Sequence, residues 1–77
     1  KHMTKTQRTA VNQLQRALNA CANAGLVGGV FDGTFCIWPW EQTQEIHAGA
    51  EEDFFTRVEI HGFLLHTTMP LDGGAGV

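Results

Sequence analysis

The amino-acid sequence predicts an α+β domain: one N-terminal amphipathic helix packed on an antiparallel sheet of three or four strands, with a type I′ hairpin at Asp32-Gly33. Three observations lead there. Apolar residues recur with helical spacing between Thr4 and Ala24, Asp32-Gly33 sits between two apolar runs, and residues 54–61 alternate with a period of two. Residues 1–3 read as an expression-tag remnant and start, residues 4–70 as one domain, and residues 71–77 as a flexible tail.

The helix comes first. Val11, Leu14, Leu18 and Cys21, flanked by Ala10, Ala17 and Ala22, fall on one side, while Lys5, Arg8, Asn12, Gln15, Arg16, Asn19 and Asn23 fall on the other. Thr4 followed three residues later by Gln7 has the form of a capping box, and Gly25 stands where a left-handed residue closes a helix. Asn12, Asn19 and Asn23 are poor helix formers, so this helix depends on packing its apolar stripe against something.

In the stretch GGVFDGTFCIWPW, the Asp-Gly pair fixes a two-residue turn, because both central positions need positive φ. The expected register sets Phe31 opposite Thr34, Val30 opposite Phe35, Gly29 opposite Cys36, Gly28 opposite Ile37 and Val27 opposite Trp38. Directly opposed residues share a face, so one face carries Val30, Phe35 and Ile37, and the other Val27, Phe31, Cys36 and Trp38. Neither face is polar, which means both must be covered. The helix stripe is expected on the Val30 face, with Gly28 giving it room to approach. The other face must be covered by the C-terminal segment, a second copy of the chain or a partner. A homodimer joined through Val27, Phe31, Trp38 and Trp40 is the expected solution, and Pro39 ends the ladder or confines it to an edge.

Residues 41–50 are polar apart from Ile46 and read as a loop or short edge strand. Phe54, Thr56, Val58 and Ile60 alternate with Phe55, Arg57, Glu59 and His61, which predicts a strand; a helix over residues 50–59, with Glu51, Glu52 and Asp53 at its positive end, is the alternative. Gly62 breaks the run, and residues 63–69 continue as a bulged strand or return as another.

Composition narrows the function classes. A chain of 77 residues buries only ~60% of the surface its unfolded form exposes, so outside help such as a second subunit is natural. Its apolar runs are too short to span a bilayer, no secretory leader is visible, and a cytoplasmic location is expected. Cys21 and Cys36 are too few for a disulfide framework and are expected as small buried thiols, with a bridge possible if helix and hairpin pack together. Net charge is −3, split unevenly: residues 1–27 hold Lys1, Lys5, Arg8 and Arg16 and no acid, while residues 28–77 hold eight acids against Arg57 alone. Such asymmetry marks a charged partner or lets the two parts attract each other.

No nucleophile motif is present: the chain has no serine and no tyrosine, and Gly28-Gly29 lies in a strand rather than opening a phosphate-binding helix. The triplet Glu-Ile-His occurs at 45–47 and 59–61; on adjacent strands it would gather Glu45, His47, Glu59 and His61 into a metal-binding or hydrolytic site, the second functional possibility. The polar helix face of Arg8, Asn12, Gln15, Arg16 and Asn19 carries base-reading side chains, a third possibility that the acidic remainder opposes. Trp38 and Trp40 are the residues that point most to binding. The sequence therefore leads to a small non-enzymatic protein-interaction module, homodimeric, acting as an inhibitor or adaptor. No cofactor, no membrane and no nucleic acid is expected; its partners would be itself and another protein.

Overall fold

Thr4 opens the first helix through the reciprocal cap that its spacing to Gln7 predicts. In the computed structural model, which describes residues 2–48 and 52–73, Thr4 Oγ1 accepts from the Gln7 amide at 3.1 Å and Gln7 Oε1 accepts from the Thr4 amide at 2.9 Å. Helix α1 runs Lys5–Asn23 and ends at Ala24, followed by Gly25 at φ +80°, the left-handed position that glycine takes without cost.

The chain then turns back into strands β1 (Leu26–Phe31) and β2 (Thr34–Pro39). Asp32 and Gly33 have φ of +53° and +75°, and the two strands pair antiparallel in the expected register from Val27↔Trp38 to Phe31↔Thr34. The ladder extends one pair further to Leu26↔Pro39, and the Trp40 amide donates to the Gly25 carbonyl at 2.8 Å. Pro39, lacking an N–H, sits at the end of the ladder as expected.

After β2 the chain departs from the expected loop and strand. A 3-10 turn at Trp40–Gln42 leads into a single helical turn α2 (Thr43–Ile46), and residues 49–51 lie outside the described region. The predicted strand over residues 54–61 is instead helix α3, Phe54–His61. Local chemistry and tertiary packing both favour the helix. The Asp53 carboxylate accepts from the Thr56 amide at 2.8 Å and caps the first turn, and Phe54 and Val58, one helical turn apart, both enter the core. The same residues also satisfy a period of two, so β-branched composition alone misleads here; a helix presents a broad ridge that fills the space over β2, whereas a strand would need a sheet edge to pair with. Arg57 locks the arrangement by donating through Nε to the Ile46 carbonyl at 2.8 Å and through Nη1 to the Glu52 carbonyl.

Strand β3 (Phe63–Leu65) returns beside β2, giving a three-stranded antiparallel sheet in the order β1-β2-β3, with Ile37↔Phe63, Cys36↔Leu64 and Phe35↔Leu65 as partners. The domain is thus α+β, with α1 packed on one face of the sheet along β1 and α2 and α3 on the other. Gly62 makes the switch from α3 to β3 possible. A Cβ there would lie 2.4 Å from the Ile37 carbonyl oxygen and 2.7 Å from the Trp38 Cβ, so only glycine allows the backbone to approach β2 this closely.

The main core lies on the α2–α3 side; among the described residues, Ile37 is the one buried side chain on the other face. Cys36, Trp38, Ile46, Phe54 and Val58 form one buried cluster, with Val27, Phe31, Phe55 and Leu64 packed around it. Cys21 and Cys36 are both free thiols; they occupy opposite sides of the sheet, and only Cys36 is fully buried. Of the tail expected over residues 71–77, Leu71–Gly73 has no regular structure and residues 74–77 lie outside the described region. No helix among the described residues is long and apolar enough to cross a membrane.

Two measurements test this architecture. Gly62→Ala is expected to lower unfolding free energy in urea by about 1–3 kcal/mol, the range for forcing atoms into filled space; an unchanged midpoint would contradict the close approach. The Thr56 amide, then the Thr56 side chain, holds the Asp53 carboxyl below its ordinary range. A lowered folded-state value means that the cap stabilises the fold above the unfolded value, near pH 4, and is lost as pH falls through the folded one. Asp53→Ala is therefore expected to lower the melting temperature at neutral pH, with the difference from the parent chain closing in strong acid.

Candidate interaction surface

Two sheet faces and one helix stripe carry the apolar side chains that could bind a partner. On the inner face, the rings of Phe31 and Phe54 lie 4.7 Å apart, and Trp38 meets Phe54 edge-on at 6.4 Å and His47 edge-on at 5.8 Å. Trp38 Nε1 donates to Thr43 Oγ1 at 3.2 Å, and that hydroxyl donates to the Trp40 carbonyl at 2.7 Å, so the one polar atom of the buried indole is satisfied. Trp38 is 2 % exposed. Burial also pushes the Cys36 thiol above its ordinary value, which makes it a poor nucleophile.

This placement corrects the expected interface. Val27, Phe31 and Trp38 face α2 and α3 of their own chain; of the three covers the sequence allows, the C-terminal segment is the one present. Trp40 stands apart from them on the 3-10 turn, 65 % exposed. Gly28 does not make room for α1 either: a Cβ there would meet the Phe35 ring at 3.0 Å.

The outer face is different. The register that puts Cys36 and Leu64 inward puts Phe35, Ile37, Phe63 and Leu65 outward, beside Val30. Helix α1 lies over this face but buries none of its own residues: Val11, Leu14 and Leu18 all remain exposed. Phe63 is 64 % exposed, and Leu65 and Met69 are also open. Between α1 and the segment after β3 runs a groove of about 400 Å³, walled by Leu14, Leu18, Val30, Phe35, Leu65 and Met69.

The other candidate residues are scattered. Arg8, Asn12, Gln15, Arg16 and Asn19 are exposed along α1, where Gln15 Nε2 donates to Asn19 Oδ1 at 3.1 Å and Arg8 Nη2 to the Met3 carbonyl at 3.5 Å. Glu45 and His47 lie at the end of α2, and Glu59 and His61 on the last turns of α3, not on adjacent strands. The geometry that would gather two carboxylates and two imidazoles is absent, and no group of three metal-ligating side chains occurs among the described residues. Phe63, Leu65 and Met69 are surface residues that the sequence alone does not single out; the spacing of Phe63 and Leu65 around Leu64 carries the signal, but it sets their exposure only once β3 pairs with β2.

No protein-family model, curated protein or solved structure matches the chain.

Trp38→Ala is expected to cost about 3–5 kcal/mol, enough to unfold most of a domain this small. Trp40→Ala should stay within about 0.5 kcal/mol of the parent chain. Urea unfolding followed by circular dichroism distinguishes them, and a reversed order would mean that the indoles exchange roles.

Proposed function

We propose that this chain is a small non-enzymatic protein-interaction module, which meets a protein partner through the outer face of its sheet and the stripe of α1 and acts as an inhibitor or adaptor. The observation that carries this is the apolar groove walled by Leu14, Leu18, Val30, Phe35, Leu65 and Met69, with exposed Val11 one turn before Leu14 and exposed Phe63 two residues before Leu65, on a chain whose inner face is already filled. Exposed apolar residues standing singly are ordinary, but a contiguous set with a groove between its two rims is the form of a docking surface. Such a surface suits a helix, whose apolar ridge enters a groove while its polar sides stay in water. The acidic portion of the chain, from Asp32 onward, would steer it toward a basic partner surface.

The double variant Phe63→Ser/Leu65→Ser tests this role. Both side chains are largely outside the core, so the urea midpoint should shift by no more than about 0.5 kcal/mol per substitution. Immobilised parent chain, exposed first to itself and then to a native extract, should retain a stoichiometric protein that the double variant does not. Equal retention by both, or retention by neither, would overturn the proposal.

A further inference from the structure

The surface area of the chain, and the shape and charge of its open face, specify what covers that face. The chain's accessible surface is 5945 Å², whereas a compact monomer of its mass, 8.4 kDa, exposes about 4600 Å². Taken over the whole chain, the excess of about 1300 Å² leaves room for the ~800 Å² that each subunit buries in a standard interface. The radius of gyration agrees: 14.3 Å, against about 11.5 Å for a compact domain of this length.

The space left is that of one helix. Strands lie about 4.8 Å apart and a helix with its side chains is about 10 Å across, so α1, seated along β1, leaves β2 and β3 room for a second helix. The α1 stripe is itself made for a helical neighbour. Val11, Leu14, Leu18 and Cys21 follow one another at intervals of three, four and three residues, the seam of two packed helices, with small Ala10 and Ala17 beside it.

Charge fixes the direction. Helix α1 carries Lys5 in its first turn and Arg8 just after, with no acid in the first turn and no base in the last. Alone, this is the unfavourable arrangement, since the positive end of the helix dipole meets positive side chains and the negative end meets none. Next to an antiparallel copy of itself the same charges become favourable, because each helix brings its basic end to the other's negative end. A parallel copy would instead place Lys5 and Arg8 beside their own equivalents.

We propose, on the basis of the interaction role given above, that the partner in the groove is a second copy of this chain, with the two α1 helices antiparallel about a two-fold axis beside Ala17. The seam then pairs Val11 with the partner's Cys21 and Leu14 with the partner's Leu18. Ala17 meets its own equivalent at the axis, which lets the helices come close. Arg8 flanks the seam beside the partner's Ala22, at the negative end of the partner's helix, while Arg16 points away from the contact. Each α1 thereby lies over the β3 side of the other copy's sheet, against Phe63 and Leu65, and the contact is isologous and closed.

Cross-linking distinguishes this arrangement from its rivals. Val11 is about half exposed, so Val11→Cys leaves the fold intact. Under mild oxidation by copper-phenanthroline at micromolar protein, Val11→Cys is expected to run as a covalent dimer on a non-reducing gel. The parent chain, whose Cys21 residues are far apart across an antiparallel seam, should remain uncross-linked, and Val11→Cys/Cys21→Ala should lose the product. A cross-linked parent chain would mean a parallel pair, and persistence of the product in the double variant would mean the same; either overturns the proposal. Absence of any cross-link overturns it as well, while leaving the interaction role standing if Phe63→Ser/Leu65→Ser still abolishes retention of a different protein. Arg8→Glu gives an independent reading: it should raise the helix content of dilute monomer, by matching the dipole, yet weaken dimerisation about tenfold. Tighter dimerisation of Arg8→Glu would contradict the antiparallel order.

Discussion

Strand β2 is apolar on both faces, and the rest of the structure answers to that. Cys36 and Trp38 point one way, Phe35 and Ile37 the other, and β2 is the central strand, so neither face can be left to water without cost. On the inner side the cost is met within the chain. Trp38 is enclosed by Phe31, Phe54 and His47, its indole N–H is bonded to Thr43, and Gly62 lets α3 pass directly into β3 while hugging β2. The core is small but complete.

The outer side is met only in part, and this asymmetry connects fold to function. Ile37 is buried there, but Phe63 and Leu65 at the β3 edge are not, and α1 reaches the sheet without burying any of its own residues. A helix of this length with three asparagines and a mismatched dipole draws little stability from its own backbone. Its capping box secures one end, yet a cap contributes about 1 kcal/mol and cannot replace an apolar contact. The residues that weaken α1 as a solitary helix, Lys5 and Arg8 near its start and the uncovered Val11–Cys21 seam, are the ones an antiparallel neighbour would satisfy. The exposed surface and the marginal helix are in this sense one feature.

Much of the fold was legible in the residues, for identifiable reasons. Thr4, Gln7 and Gly25 mark the ends of α1 because capping is local chemistry, and Asp32-Gly33 fixes the hairpin register because only a few residues accept two consecutive positive φ values. Where local signals were ambiguous, tertiary demand decided. Phe54 and Val58 fit both a strand and a helical period, and the cap at Asp53 together with the need to roof Trp38 settled them as a helix. The candidate site depends on that choice. A strand over residues 54–61 would make Glu59 and His61 neighbours of Glu45 and His47, and it leaves open whether the C-terminal segment, a second copy or a partner covers Trp38 and Phe31. Recognising α3 removes the first constellation and moves the available apolar surface to the opposite face. The double apolarity of the hairpin was nonetheless a sound clue: it required a second layer, which the chain itself supplies.

Amide hydrogen exchange across α1 tests the central claim, that the outer face and α1 are completed by a second copy of the chain. Protection should be strong in β2 and α3 at every concentration, because the inner core is self-contained. In α1 and β3 protection should rise together as the chain is concentrated from sub-micromolar to hundreds of micromolar, reaching the level of the core. Rapid exchange in α1 at all concentrations, beside a fully protected β2, would show a helix that nothing covers and would contradict the account.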